Sequence, residues 1–244
     1  MTTEDSDRLL GRVRKLLAKA EAEGVTPAEA EALTAKATEL MAKYGIDRAL
    51  LAASRPETDQ PGDRVVVVHK PWAKVQAHLL SGLASAMRCK SVLLTSRQGL
   101  TTVHLFGYAS DLERTDLLYT SVLVQMWHAL AATPVPARVS GVAAWRRSWL
   151  LGFCAAVISR VSDAEWRAAT SAAAPEDGKQ SQTALVLADR ELVIRENAAR
   201  AYPNTRRTRL TYSGSGYGDG YREGQRADIG STKLRTRAAG ALGR

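Results

Sequence analysis

Cysteine, histidine and long apolar runs are all scarce in this chain, and each scarcity removes a class of protein. Two cysteines, Cys89 and Cys154, occur in 244 residues, both inside apolar segments. A disulfide framework is thereby excluded, and both read as buried thiols of a reducing compartment. The four histidines, His69, His78, His104 and His128, form no H-x-x-x-H pair, and no C-x-x-C accompanies them. Structural zinc sites usually show such pairs, so no metal ligand set is assigned. The longest apolar stretches, Val65 to Val68 and Leu117 to Met126, fall well short of the roughly 20 residues needed to cross a bilayer, and no membrane span is expected. The opening MTTEDSDRLL carries acidic residues where a signal peptide carries basic ones, so the expected location is cytoplasmic.

Catalytic signatures are missing as well. There is no G-x-S-x-G elbow. Gly214, Gly216, Gly218 and Gly220 are spaced by two, which fits neither G-x-G-x-x-G nor G-x-x-x-x-G-K-[ST]. The carboxylates of DLERTD, Asp111 to Asp116, are expected in the first turns of a helix, where its dipole favours them. No catalytic residue and no cofactor is assigned.

What is present is a skewed charge. Residues 1–133 hold 16 Lys/Arg against 15 Asp/Glu, residues 134–199 hold 8 against 7, and residues 200–244 hold 10 against 3. The last 45 residues thus carry +7 of the net +9. A concentrated basic segment is the electrostatic footprint of a polyanion partner, although 25 of the 34 cations are arginine, as coding bias alone would produce.

Periodicity gives an α+β fold: an N-terminal helical hairpin, a small β-α-β-β-α sandwich, and a mostly helical C-terminal part. The hairpin is residues 1–52, helical over 5–45 except at Gly24 to Thr26. Leu9, Leu10, Val13, Leu16 and Leu17 form the stripe of its first helix, and Gly24 stops it. Thr26, Pro27 and Glu29 form a capping box for the second helix, whose stripe is Ala37, Leu40, Met41 and Tyr44 and whose stop is Gly45. Residues 53–63 read as a linker and 64–133 as the core. Within that core a strand runs from Arg64 to His69, a helix follows Pro71, and Cys89 to Thr95 pairs with Leu100 to Phe106 across a turn at Arg97 to Gly99. Ser110, with Glu113, caps a long helix. Residues 134–202 hold a helix over about Val142 to Ala169 with Trp145, Trp149, Phe153 and Trp166. After a loop at Ser171 to Gln182, ALVLA at Ala184 to Ala188 reads equally as a short strand or as the start of a helix. Residues 203–244 form a basic, Gly-rich segment. There Gly220, Gly224, Ala227 and Ser231 share one helical face, a surface of minimal side chains suited to close packing.

The stretch RKLLAKAEAEGVTPAEAEALTAKATELMAKYGID, Arg14 to Asp47, resembles the N-terminal module of bacterial and phage proteins grouped as "domain of unknown function 2786", chiefly through ELMAKYGI. RRSWLLGF at Arg146 to Phe153 and ALVLADRE at Ala184 to Glu191 are similar to the downstream part of actinobacterial members. The resemblance implies no activity, cofactor or catalytic residue.

Two basic features are candidates for nucleic-acid contact. One is the C-terminal group Arg206, Arg207, Arg209, Arg222 and Arg226, with Tyr202, Tyr212 and Tyr217 placed to stack on bases. The other is the stripe Arg8, Arg12, Lys15 and Lys19 on the first helix. The expected function is that of a non-catalytic nucleic-acid-binding or phage-type accessory protein, with DNA or RNA as partner. Two alternatives stand beside it: an enzyme with a pocket between the core sandwich and the Trp-rich helix, and a scaffold that docks a protein partner through the hairpin.

Overall fold

The computed structural model describes residues 8, 11–13, 15–16, 27–96, 100–173, 182–206 and 214–227, with 27–35 and 38 given by backbone alone. Residues 8, 11–13 and 15–16 are helical, with Val13 fully buried. The first sustained helix, α1, spans Pro27–Ser54. The predicted turn at Gly24 to Thr26 and the predicted hairpin turn at Arg97 to Gly99 lie outside the described residues.

Gly45 does not stop α1, which runs two further turns and more beyond it. A β-carbon on Gly45 would lie 2.4 Å from the guanidinium carbon of Arg114. The glycine therefore admits a side chain from another helix rather than turning its own. Residues 53–63 hold the end of α1, a single 3-10 turn at Pro56–Thr58, and the start of strand β1 (Pro61–Val68). Arg48 of α1 donates to the Thr58 carbonyl and ties this stretch down.

Helix α2 (Ala73–Ala86), strands β2 (Lys90–Thr95) and β3 (Thr101–Tyr108), and helix α3 (Ala109–Ala132) complete the sandwich. The sheet is antiparallel with order β1-β3-β2. Pro61 faces Tyr108 and Val68 faces Thr101 on one side of β3, and Lys90 faces Phe106 on the other. Alternation along β3 sends Val103 and Leu105 inward against Leu80, Ala84 and Leu112. It sends Phe106 outward against Ile194 and Ala198 of α5 (Gln182–Ala201). Residues 184–188 are thus helix, and α5 buries Arg190, Ile194 and Ala198, one residue per turn.

The largest core joins α1, α2, α3 and α4 (Val142–Ala172) around Met41, Leu79, Leu83, Val122, Met126, Trp145, Trp149 and Phe153. The last described helix, α6 (Tyr217–Arg226), lies along α4 with almost no side chain between them. β-Carbons on Gly216, Gly220 and Gly224 would fall 2.4, 1.8 and 2.5 Å from the carbonyl oxygens of Trp145, Trp149 and Phe153, and one on Gly152 would fall 2.0 Å from that of Tyr217. Both ends of α6 are held by α4: Ser148 Oγ accepts the Gly216 N–H at 2.9 Å, and Arg160 donates to the Gly224 carbonyl at 2.9 Å and to that of Ala227. The glycine face predicted from Gly220, Gly224 and Ala227 is the buried face, while Ser231 lies outside the described residues.

Both cysteines are interior, and burial pushes their thiols up to about 12. Thiolate is the reactive form. At pH 8 the native protein is therefore expected to leave a disulfide-exchange chromogen unreacted over minutes, and to release two equivalents once denatured. Rapid release of either equivalent from native protein would contradict the burial.

Candidate functional site

Helices α2 and α5 pack on opposite faces of the sheet, and along its β2 edge they bound a trough that has two chemically different halves. The larger half, of about 890 Å³, is bounded by α2, β2 and the C-terminal end of α5. Lys74, Lys90, Arg195 and Arg206 line it, with no Asp or Glu among its described lining residues. Arg195 is partly offset by Glu191 at 2.8 Å, one turn back on α5. His78 lines the same half, and burial lowers its pKa, so its imidazole adds no charge at neutral pH.

Tyr202 stands at this end of the trough. Its hydroxyl lies 2.8 Å from His104 Nδ1, and His104 Nε2 lies 2.8 Å from Asp63. Its ring meets His104 and Phe106 edge-on. The phenol that the sequence offers for base stacking is thus held by the outer face of the sheet, and its orientation is fixed by a histidine on β3.

The smaller half, of about 580 Å³, lies where α2 ends and α5 begins, with α4 as its third wall. Its lining is mostly apolar, including Ala86, Ile158 and Leu187, with Trp166 68% exposed. Its charged residues are Arg88, Glu165 and Glu191.

Arg88 and Glu165 also belong to a buried network of three carboxylates and three guanidiniums. Arg114, wholly buried, donates to Asp111 and Glu165 at 2.6 Å each and to the Met41 carbonyl at 3.0 Å. Arg190 pairs with Asp59 at 2.6 Å and Asp111 at 3.4 Å, and its guanidinium lies 3.5 Å from the centre of the Tyr108 ring. Arg88 reaches Glu165 at 3.1 Å and Asp111 at 4.0 Å. Burial alone would raise the Asp111 pKa, but Arg114, Arg88 and Arg190 together hold it below the ordinary value. Asp111 sits in the first turn of α3, as expected, but it is buried and faces guanidiniums rather than water. The predicted Ser110 cap is also corrected: α3 begins at Ala109, and Asp59 Oδ1 and Oδ2 accept the Ser110 N–H at 3.0 Å and its hydroxyl at 2.7 Å. A carboxylate 51 residues upstream occupies the helix start that local sequence assigns to Ser110.

The structure separates the sequence-predicted cations. Arg206 joins Tyr202 in the basic half of the trough. Arg222 and Arg226 lie on α6, each paired three residues back with Asp219 and Glu223. Tyr217 stacks on Tyr221 at 6.3 Å and is 47% exposed. Arg8, Arg12 and Lys15 lie on the exposed side of the N-terminal helix. Arg207, Arg209, Tyr212 and Lys19 lie outside the described residues. Lys74, Lys90 and Arg195 were not among the sequence candidates, since they sit far apart in the chain at unexceptional local charge density. Among the described residues no group of His, Cys, Asp and Glu is arranged to hold a metal ion, and no helix is long and apolar enough to cross a membrane.

Residues 8–48 match the family model described as "Protein of unknown function (DUF2786)". The match covers the N-terminal module and ends inside α1. It contains the Arg8, Arg12 and Lys15 stripe and the Met41 carbonyl that anchors Arg114. The matched segment is thus joined to the rest of the fold through the buried network, whereas the trough is built from residues beyond it. Neither a search of curated proteins nor one of solved structures gave a match.

Proposed function

We propose that the protein binds nucleic acid, without catalysing a reaction on it, through the basic half of the α2–α5 trough. The observation that carries this reading is the convergence of Lys74, Lys90, Arg195 and Arg206 on one concave surface whose described lining contains no carboxylate. Such a surface attracts phosphates by the release of their counterions, so binding has weak sequence preference and falls steeply with salt. A concave trough between two helices, with a tyrosine at its end, suits a single strand better than a duplex.

The test is a gel-shift titration against single- and double-stranded DNA and RNA over a salt series, comparing wild type with Lys74→Ala/Lys90→Ala/Arg206→Ala. On single strands the slope of log affinity against log salt is expected to flatten by up to roughly two units, about 0.7 per lost phosphate contact. The loss is expected to be similar for every sequence. A thermal melt of the triple variant checks that lysine and arginine stems were not needed for packing. Absence of binding at low salt, or an unchanged slope in a folded variant, would refute the reading.

A further inference from the structure

Resting on that reading, we infer that the apolar half of the trough is a pocket for one unstacked nucleobase of the bound strand. The two halves are continuous: Ser81 lines the basic half and Gly82 the apolar half on α2, and Arg195 and Glu191 do the same on α5. A strand whose phosphates lie along Lys74, Lys90 and Arg206 therefore runs toward Trp166. The volume of about 580 Å³ is within the range of small-ligand sites.

Charge divides the labour between the halves. In the apolar half the one cation of the described lining, Arg88, is already paired with Glu165, whereas Lys74, Lys90 and Arg206 of the basic half are placed to take phosphates. Extruded bases are held by stacking on an aromatic ring. Trp166, at 68% exposure, supplies the indole face. Since every base has a stacking face, the pocket takes a base without choosing strongly among them.

The test compares a short oligodeoxythymidylate with an abasic phosphodiester strand of equal length, at fixed low salt, for wild type, Trp166→Ala and Trp166→Phe. Wild type is expected to bind the base-bearing strand at least about fivefold more tightly, the lower end of what one stacked base contributes. Trp166→Ala should lose most of that preference and keep its affinity for the abasic strand, and Trp166→Phe should recover much of it. Equal binding of the two strands by wild type, or an undiminished preference in Trp166→Ala, would overturn the base pocket and leave the phosphate trough standing. Binding of neither strand would bring down both.

Discussion

Arg114→Met is expected to lose about 3–5 kcal/mol of stability, the usual cost of removing one partner from a buried ion pair. The volume change is small, so the loss is electrostatic. Asp111 and Glu165 each forfeit a 2.6 Å charge-assisted bond, and the Met41 carbonyl forfeits its donor. Urea unfolding measures it, and a change below about 1 kcal/mol would mean that Arg88 and Arg190 neutralise the carboxylates unaided. The same network sets an acid limb. The folded-state pKa of Asp111 lies below its ordinary 3.8. Its contribution is therefore complete above the unfolded value and disappears as pH falls through the folded one. Asp111→Asn should accordingly flatten the fall in stability below pH 4, as well as lower stability at neutral pH. An unaltered acid limb in that variant would assign it to other carboxylates.

Gly220→Ala is expected to destabilise the protein by about 1–3 kcal/mol, the usual cost of overpacking. The added carbon would stand 1.8 Å from the Trp149 carbonyl oxygen, so one helix must move away from the other. Alanine's better helix propensity, about 1 kcal/mol, works in the opposite direction and loses. Gly218→Ala isolates that term. On the exposed side of the same helix, its β-carbon meets only the end of Arg222 at 3.9 Å. This second variant should gain up to about 1 kcal/mol. Chemical denaturation of the pair gives opposite signs if α6 packs as described. A loss in both would point instead to glycine-specific backbone freedom.

These two sites also show what a sequence discloses. The α6 face was legible because a helix lacking β-carbons on one side leaves a four-residue rhythm, Gly220 and Gly224, in the letters themselves. The sandwich was legible for a similar reason, since Val65 to Val68 and Leu100 to Phe106 carry strand-forming residues between turn signals. The ion network was not. Asp59, Asp111, Glu165 and Arg190 come from four separate stretches, and DLERTD reads the same whether Asp111 faces water or a guanidinium. Gly45 misled because an absent β-carbon serves a stop and a close approach equally well, and only Arg114, distant in sequence, distinguishes them. ALVLA was ambiguous because α5 buries one residue per turn and leaves Leu185 and Leu192 about half exposed, which blurs the helical period. Of the basic candidates, the pairing of Arg222 with Asp219 and of Arg226 with Glu223 was readable from their i,i+3 spacing. Convergence of Lys74, Lys90, Arg195 and Arg206 was not, because helix α2 and strand β2 meet the end of α5 only in three dimensions.

The 131-residue separation of Asp59 and Arg190 also sets a timetable for a chain made from its N-terminus. At about 5–20 residues per second, roughly 7–26 s pass between the synthesis of the carboxylate and that of its guanidinium. During that interval Asp59 can take the start of α3 through Ser110, but it lacks the countercharge that lets it stay away from water. Nascent chains ending before residue 190 should therefore remain open around Asp59 and Asp111, exposing sheet surface that α5 later covers. The emergence of α5 is then the event that closes the molecule, and premature termination before it yields a product for the cell's quality-control proteases rather than a shorter working protein.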